Sequence, residues 1–300
     1  YTVHLTAGEC SVASEGFKSK SDAEALRDAC LKAPAAIVSK VERREKSEKP
    51  PALYDLTTLQ REANRLYGFT AQQTLDYAQS LYEKKLLTYP RTDSRYLTDD
   101  MAASLPGLVA SGARAFGVQP PVEVHAGAVI NSQKVTDHHA LLPTASMAKA
   151  DLAALPAGEQ AVLRMVVARL LCAVAAPYRF AETIVEVTCA DASFSAKGKE
   201  VLDRGWKGVE RQLLPKEEKQ EKTLPPMAEG TALTVTKTEI KEGKTSPPKH
   251  FTEDLLLRAM ETASADDFPV DAERKGIGTP ATRAAILEKL VQKDFLERKG

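Results

Sequence analysis

The residues with the clearest chemical potential form one short run, Tyr89-Pro90-Arg91-Thr92-Asp93. A tyrosine phenol has a pKa of about 10, so its attack on a phosphodiester needs positioning and cations that support the charge developing on the phosphate. In an extended segment Arg91 would share a face with Tyr89, and its guanidinium could bind the phosphate under attack. Pro90 disfavours helix at Tyr89, and Asp93 could orient Arg91. The run predicts phosphoryl transfer to a tyrosine, although an isolated tyrosine is more often a half-buried strand residue.

Two further motifs could bind an anion. The run Asp137-His138-His139 holds adjacent histidines, and an imidazole with a pKa near 6.5 could donate a hydrogen bond to a phosphate, although such pairs also occur in plain surface loops. The run Gly276-Ile277-Gly278-Thr279-Pro280 places a good N-cap residue before a good first helical residue. Thr282 and Arg283 would then lie one turn inside a helix whose N-terminus favours anions. Each motif alone is weak evidence.

Three segments carry the Ser/Thr-x-x-Glu/Gln pattern that predicts a helix start with a capping box. The pairs are Ser21 with Glu24, Thr57 with Gln60, and Thr70 with Gln73. Gly68 lies between the last two and predicts a helix end. Two short helices joined by such a turn form a helix-turn-helix outline, which by itself does not establish DNA binding.

Strand patterns lie on both sides of this helical section. Apolar and polar residues alternate at 35–42, 184–189, 194–199 and 232–240. Further helices are predicted at 159–174, 253–262 and 280–291, and a charged loop at 211–222. With polar, proline-bearing breaks at 46–51 and 247–248, the order predicts a helical domain inserted into a β domain, followed by an incomplete third unit.

The amino-acid composition argues against some classes of function but does not identify one. Lys+Arg and Asp+Glu balance at 41 each, so no overall positive charge indicates a nucleic-acid partner. No stretch approaches the roughly 18–20 apolar residues that a membrane span needs. The four cysteines (Cys10, Cys30, Cys172 and Cys189) lack C-x-x-C spacing, which argues against a zinc site and favours a reducing, cytoplasmic compartment.

Four blocks of the sequence, in order, resemble the type IA DNA topoisomerases. Residues 88–97 are similar to the active-site signature of that family, and Pro90 is similar to its topoisomerase III branch. The other blocks are residues 53–64, 137–144 and 276–283. Together they are spread over most of the chain, which makes the resemblance specific.

The resemblance implies roles for individual residues. Tyr89 matches the nucleophile that forms a 5′-phosphotyrosyl bond with the cut strand, Arg91 matches the arginine that supports the transition-state phosphate, and His138 matches the first histidine of its block. The remaining matched positions are expected to bind DNA: Asp93, Arg95, Thr279, Thr282 and Arg283. Where Thr279 stands, the family's other branch often has Arg.

The resemblance also implies an α+β multidomain fold. A helical, winged-helix-like tyrosine domain (residues 52–175) would be inserted into a β-rich arch or hinge domain (1–51 and 176–249), with 250–300 forming part of a helical DNA-binding domain. The family binds Mg²⁺ with an acidic cluster of a Toprim domain, and this sequence shows no such alternating cluster. The chain also begins without Met and ends in charged residues. We therefore expect a piece of a longer enzyme that does not relax DNA alone, with Mg²⁺ held by the Toprim domain of the parent enzyme.

Single-stranded DNA, the Toprim domain and a helicase are the expected partners, in a bacterial cytoplasm close to the nucleoid and away from membranes. Two other classes stay open. A non-catalytic helix-turn-helix module fits residues 57–87 but leaves the tyrosine run unexplained. A tyrosine recombinase would need a His-x-x-Arg motif, whereas His138 and His139 precede Ala-Leu-Leu. Convergence of Tyr89, Arg91 and His138 on one phosphate-sized site would favour the topoisomerase.

Overall fold

The computed structural model describes residues 1–216, 221–263 and 276–299, which group into two compact units. Unit 1 comprises Tyr1–Glu48, Arg179–Arg204 and Glu218–Pro248. Unit 2 comprises Lys49–Tyr178, Gly205–Glu217 and Lys249–Gly300. The chain changes unit at 48–49 and at 248–249, close to the two proline-bearing breaks of the sequence.

Unit 1 is built on a sheet in which seven described strands follow the order β6-β3-β4-β5-β2-β1-β7. The strands are β1 (Thr2–Ala7), β2 (Cys10–Gly16), β3 (Ala36–Glu48), β4 (Tyr178–Cys189), β5 (Ala192–Asp203), β6 (Ala232–Leu233) and β7 (Val235–Lys241), and helix α1 is Lys20–Lys32. β1 pairs antiparallel with β2 and β7, and β4 with β5. The predicted alternation in β4 is confirmed, because Val185, Val187 and Cys189 are buried in the core while the residues between them are not.

Unit 2 is helical and packs around α5. Its helices are α2 (Leu56–Tyr67), α3 (Ala71–Glu83), α4 (Leu105–Ala115), α5 (Ala157–Ala173), α6 (Gly205–Leu213), α7 (Glu253–Thr262) and α8 (Pro280–Gln292). Buried residues lie on all sides of α5, and a second apolar cluster joins α2 and α3 to α7 and α8. Among the described helices, none combines the length and apolar character that a bilayer crossing requires.

Two stretches group differently from the predicted domains. Residues 205–216 lie in unit 2, because Val209 and Leu213 of α6 are buried in the helical core. The predicted loop at 211–222 is therefore wrong at its start, and its residues 217–220 lie outside the described residues. The described parts of 250–300 also belong to unit 2, and residues 264–275 of that predicted domain are not described. The division into three domains stays a prediction.

One of the three predicted capping boxes is confirmed. Thr70 Oγ1 accepts from Gln73 N at 3.1 Å, and Thr70 N donates to the Gln73 side chain at 2.9 Å. Gly68 ends the preceding helix α2 with a φ of 69°, a left-handed conformation that favours glycine. The predicted turn between α2 and α3 is therefore present.

In the other two boxes the prediction is wrong, because the N-cap lies two residues before the predicted one, at Asp55 and at Ser19. Helix α2 begins at Leu56 with Asp55 as its N-cap, because the Asp55 side chain accepts from Thr58 N at 2.7 Å. Gln60 is buried and donates to Ala71 O at 3.0 Å instead of reaching back to Thr57. Helix α1 begins at Lys20, one residue before the predicted cap Ser21.

Candidate active site

Tyr89 lies in an irregular stretch after α3 that we call the tyrosine segment, residues 88–96. The backbone just before Tyr89 is held by the neighbouring chain: Thr88 N donates to Leu142 O at 3.0 Å, and Leu142 N donates to Thr88 Oγ1 at 3.0 Å. Leu86 and Leu87 are buried in the helical core. The chain therefore leaves the core at a defined point immediately before Tyr89.

Thr92 holds the middle of the tyrosine segment. Its side chain is buried, and its Oγ1 donates to His138 O at 3.1 Å and accepts from Ser94 N at 3.1 Å. Its carbonyl oxygen accepts from Leu56 N at 3.1 Å. Thr92 thus joins the tyrosine segment to the histidine loop and to the start of α2. The local sequence predicts no role for Thr92, whose only signal is a small hydroxyl side chain inside the tyrosine run.

The Tyr89 ring contacts two other rings. The His138 ring lies with its centroid 4.5 Å from that of Tyr89, tilted by 45°. Tyr82, from the last turn of α3, lies edge-on to Tyr89 at 5.5 Å. Tyr89 is half-buried and His138 is exposed. Contacts of this kind restrict how the phenol ring rotates, and they place an imidazole beside it.

Arg91 is exposed and has no hydrogen bond or ion pair with any other residue that the structure describes. Its guanidinium donors are therefore available to a ligand. Asp93 accepts from Thr136 Oγ1 at 3.2 Å, and no ion pair with Arg91 is found within the described ranges. The suggested orientation of Arg91 by Asp93 has no support in these contacts.

The predicted DNA-binding residues of the last block lie in two environments. Thr279 and Pro280 occupy the predicted N-cap and first helical positions of α8, and Thr279 N donates to Thr282 Oγ1 at 2.8 Å. Both threonines are exposed. Arg283 is only 3% exposed and donates to the Ile277 and Gly278 carbonyl oxygens at 3.1 and 3.2 Å.

Arg95 and Arg283 both use their guanidinium groups on protein partners. Arg95 Nε donates to Asp55 Oδ2 at 2.6 Å, and Arg283 Nη1 donates to Thr57 Oγ1 at 3.0 Å. Burial lowers the pKa of Arg283, and the nearby carboxylates of Glu261 and Asp55 act in the opposite direction. DNA binding by these two arginines stays a prediction, and the contacts described here do not favour it.

Over residues 1–216, 221–263 and 276–299, no three His, Cys, Asp or Glu side chains are grouped so that they could hold a metal ion. These residues therefore do not fit a magnesium site.

The whole chain, residues 1–300, matches the family model described as DNA topoisomerase. It is 36% identical over 292 residues to DNA topoisomerase 3 of Bacillus licheniformis, covering 90% of this chain and 39% of that protein. It is 38% identical over 289 residues to DNA topoisomerase 3 of Shouchella clausii, covering 90% and 38%. The chain thus spans about two fifths of the length of these relatives. Full-length topoisomerase I from Thermotoga maritima shares the mixed α and β fold, with a TM-score of 0.74 at 22% identity over 99% of this chain and 47% of that one.

Proposed function

The chain belongs to the type IA family of DNA topoisomerases, and from that premise we propose that it carries the tyrosine that cuts and rejoins a single DNA strand. The observation that supports the proposal most is the packing of the Tyr89 ring on His138, 4.5 Å between centroids. Two residues further, Arg91 is exposed and makes no hydrogen bond or ion pair with the residues that the structure describes. Family membership decides against a tyrosine recombinase. A non-catalytic DNA-binding module would be the interpretation if no covalent intermediate forms.

The proposed reaction is a reversible exchange of one phosphate ester for another. The Tyr89 phenolic oxygen attacks a backbone phosphorus and loses its proton as the new O–P bond forms. The bond from phosphorus to the 3′ oxygen breaks, and that oxygen leaves as a hydroxyl after taking up a proton. Attack by the same hydroxyl later restores the strand. Because the phosphotyrosine retains the energy of the ester, the exchange needs no ATP.

Arg91 and His138 are proposed to bind the phosphate during the exchange. A guanidinium without protein partners can donate two hydrogen bonds to phosphate oxygens, and these strengthen as charge develops. The His138 imidazole lies against the phenol ring and is exposed, so it can donate to the same phosphate or to a neighbouring one. Thr92 would act indirectly, since it holds the His138 backbone next to the tyrosine segment.

The other parts of the function are proposed from the resemblance. The substrate would be single-stranded DNA, with a second strand passing through the transient break. A Toprim domain would supply the Mg²⁺ carboxylates and the proton for the 3′ oxygen, in keeping with relatives more than twice as long as the matched stretch. A helicase partner and a bacterial cytoplasmic location near the nucleoid belong to the same proposal.

A labelled oligonucleotide tests the chemistry. A full-length protein that contains this chain is incubated with single-stranded DNA and Mg²⁺ and then denatured. A 3′-end label should become covalently attached to protein, and a 5′-end label should be released, because the phosphotyrosine forms on the 5′ phosphate. Tyr89→Phe should abolish the attachment. Tyr67→Phe is the matched control, since it removes a phenol that stacks on Phe69. Attachment that survives Tyr89→Phe, or that retains the 5′ label, would contradict the proposal.

The 300-residue chain by itself tests the need for the Toprim domain. Mixed with supercoiled plasmid and Mg²⁺, it should leave the linking number unchanged on an agarose gel. Relaxation by this chain alone would overturn that part of the proposal and leave the role of Tyr89 to the labelling experiment.

A further inference from the structure

Arg95 is held by two carboxylates: Asp55, the N-cap residue of α2, and Glu261 of α7. Its Nε donates to Asp55 Oδ2 at 2.6 Å, and its Nη2 lies 3.5 Å from Glu261 Oε1 of α7. The Asp55 side chain is 6% exposed and that of Arg95 is 37% exposed. A short ion pair with a buried carboxylate is much harder to break than a surface pair, because breaking it leaves the carboxylate uncompensated.

Asp55 is itself immobilised as the N-cap of α2. Its other oxygen, Oδ1, accepts from Thr58 N at 2.7 Å and from Thr58 Oγ1 at 2.6 Å. One residue further, Leu56 N donates to Thr92 O at 3.1 Å. The tyrosine segment is therefore attached to the start of α2 at two points, Thr92 and Arg95, and Tyr89 lies shortly before the first.

Helices α7 and α8 also contact α2 close to Arg95. Glu261 also lies 3.6 Å from Arg61 of α2, and Arg283 of α8 donates to Thr57 in the first turn of α2. The negative charges of Asp55 and Glu261 both act on Arg283. We call the four charged residues Asp55, Arg95, Glu261 and Arg283 the α2 junction. Two carboxylates and two guanidinium groups meet there, and both guanidinium groups already donate to protein acceptors.

We infer that Arg95 is a positioning residue, which holds the tyrosine segment against the N-terminus of α2 and against α7, and that it does not bind a DNA phosphate. The inference rests on the proposed function, because the position of this segment matters for catalysis only if Tyr89 attacks DNA. Loss of the guanidinium would release one of the two attachments and leave Asp55 with an unpaired charge. The attack by Tyr89 would then slow, because a small misplacement of a reacting group costs up to about 100-fold in rate.

The salt dependence of DNA binding separates positioning from phosphate contact. For single strands, each neutralised phosphate contributes about 0.7 to the slope of log affinity against log salt. Affinity is measured by fluorescence anisotropy on a full-length protein containing this chain, in a Tyr89→Phe background that prevents cleavage. Arg95→Gln should leave the slope unchanged, whereas the matched variant Arg91→Gln should reduce it by about 0.7. A reduction of about 0.7 in Arg95→Gln would overturn the inference.

The rate of adduct formation gives the second measurement. At saturating oligonucleotide, Arg95→Gln should slow covalent attachment by about 10- to 100-fold, with the half-saturating concentration changed less than about twofold. Arg95→Lys should recover part of the rate, because an ammonium can still pair with Asp55. An unchanged rate in Arg95→Gln would contradict a positioning role.

Arg61→Gln provides the stability control. Arg61 pairs with Asp254 at 2.8 Å and lies 3.6 Å from Glu261, and both carboxylates belong to α7, outside the tyrosine segment. The Arg61→Gln variant should lower the melting temperature about as much as Arg95→Gln does. Its rate of covalent attachment should stay within about threefold of the wild-type rate. Equal slowing in both variants would reduce Arg95 to a general stability role and overturn the inference. If the wild-type protein forms no adduct, the proposed function fails, and the salt slope still decides whether Arg95 binds phosphate.

Discussion

The Tyr89 phenol is placed by neighbours that come from three separate stretches of chain. Tyr82 precedes it on α3, Thr92 follows it, and His138 comes from a loop about fifty residues further along. The two ring contacts restrict the phenol, and the Thr92 hydroxyl holds the backbone of the histidine loop. Arg91, in contrast, makes no hydrogen bond or ion pair within the described residues. Its guanidinium donors are therefore available to bind a phosphate.

Substitutions of His138 test whether its ring or its hydrogen bond matters. If the imidazole donates to the phosphate, His138→Phe and His138→Ala should both slow adduct formation by about 100-fold, since positioned proton donors contribute about that much. His139→Gln is the control and should cost less than threefold, because His139 Nδ1 is already bonded to Ala140 O at 2.7 Å. A His138→Phe variant with the wild-type rate would show that ring packing alone is required.

The helix ends in unit 2 are set by residues that tolerate unusual backbone geometry. Gly68 and Gly205 both have positive φ, 69° and 42°. A Cβ on Gly68 would meet no atom within 4 Å, whereas one on Gly205 would lie 2.3 Å from Pro177 O and 2.5 Å from Ala176 O. The first position therefore needs glycine for its backbone conformation only, and the second also needs it for space.

Alanine at each glycine should separate these two requirements. Gly68→Ala should lower the free energy of unfolding by about 1 kcal/mol, the usual cost of a left-handed alanine. Gly205→Ala should lower it by about 3 kcal/mol or more, because backbone oxygens must also move. Urea unfolding of both variants gives the comparison, and Gly68→Asn should recover part of the loss. If both variants lose the same free energy of unfolding, the backbone around Gly205 can move to accommodate the added Cβ.

Across unit 2, long-range contacts converge on one buried carboxylate. Glu62 of α2 is 3% exposed, and it accepts from the Tyr54 hydroxyl at 2.6 Å, from Lys216 Nζ at 2.8 Å and from Arg169 of α5. Burial alone would raise the pKa of Glu62, but Arg169 and Lys216 outweigh it and lower the pKa from 4.5 to about 2. The longest of these contacts, between Glu62 and Lys216, spans 154 residues of the chain.

Acid should remove the stability that this cluster provides. Because the folded pKa of Glu62 is below the unfolded value, its contribution is complete above pH 4.5 and is lost as pH falls towards 2. The difference corresponds to about 3 kcal/mol. Chemical unfolding at several pH values should show this loss in the wild type and a smaller one in Glu62→Gln.

At neutral pH, Glu62→Gln should already be less stable by about 3–5 kcal/mol, since it leaves the largely buried Arg169 without its carboxylate partner, whereas Lys216 still pairs with Glu210 at 2.7 Å. Tyr54→Phe is the milder control: it removes one hydrogen bond and keeps the charges, so it should cost about 1–3 kcal/mol. A Glu62→Gln protein with the same acid dependence as the wild type would place the acid-sensitive group elsewhere.

Local signals in the sequence were sufficient for several elements and for the family. Helices 253–262 and 280–291 were predicted to within one residue of α7 and α8, and the Thr70–Gln73 box and the Gly68 stop are present. A cap, a turn and an amphipathic period each depend on residues a few positions apart, so they can be recognised without a fold. The tyrosine run is just as local, and the family it indicated is the one that the comparisons show.

Only the tertiary structure determined which charged side chains are paired with other groups of the protein. Asp55 rather than Thr57 caps α2, Arg95 and Arg283 face protein partners, and Glu62 is paired inside the helical core. Arg95 and Asp55 are 40 residues apart along the chain, and Arg283 and Thr57 are 226 residues apart. Nothing in the local sequence distinguishes an arginine that pairs within the protein from one that is free to bind DNA. The reason is physical: burial and pairing depend on which surfaces meet once the chain has folded, and that information is spread over the whole molecule.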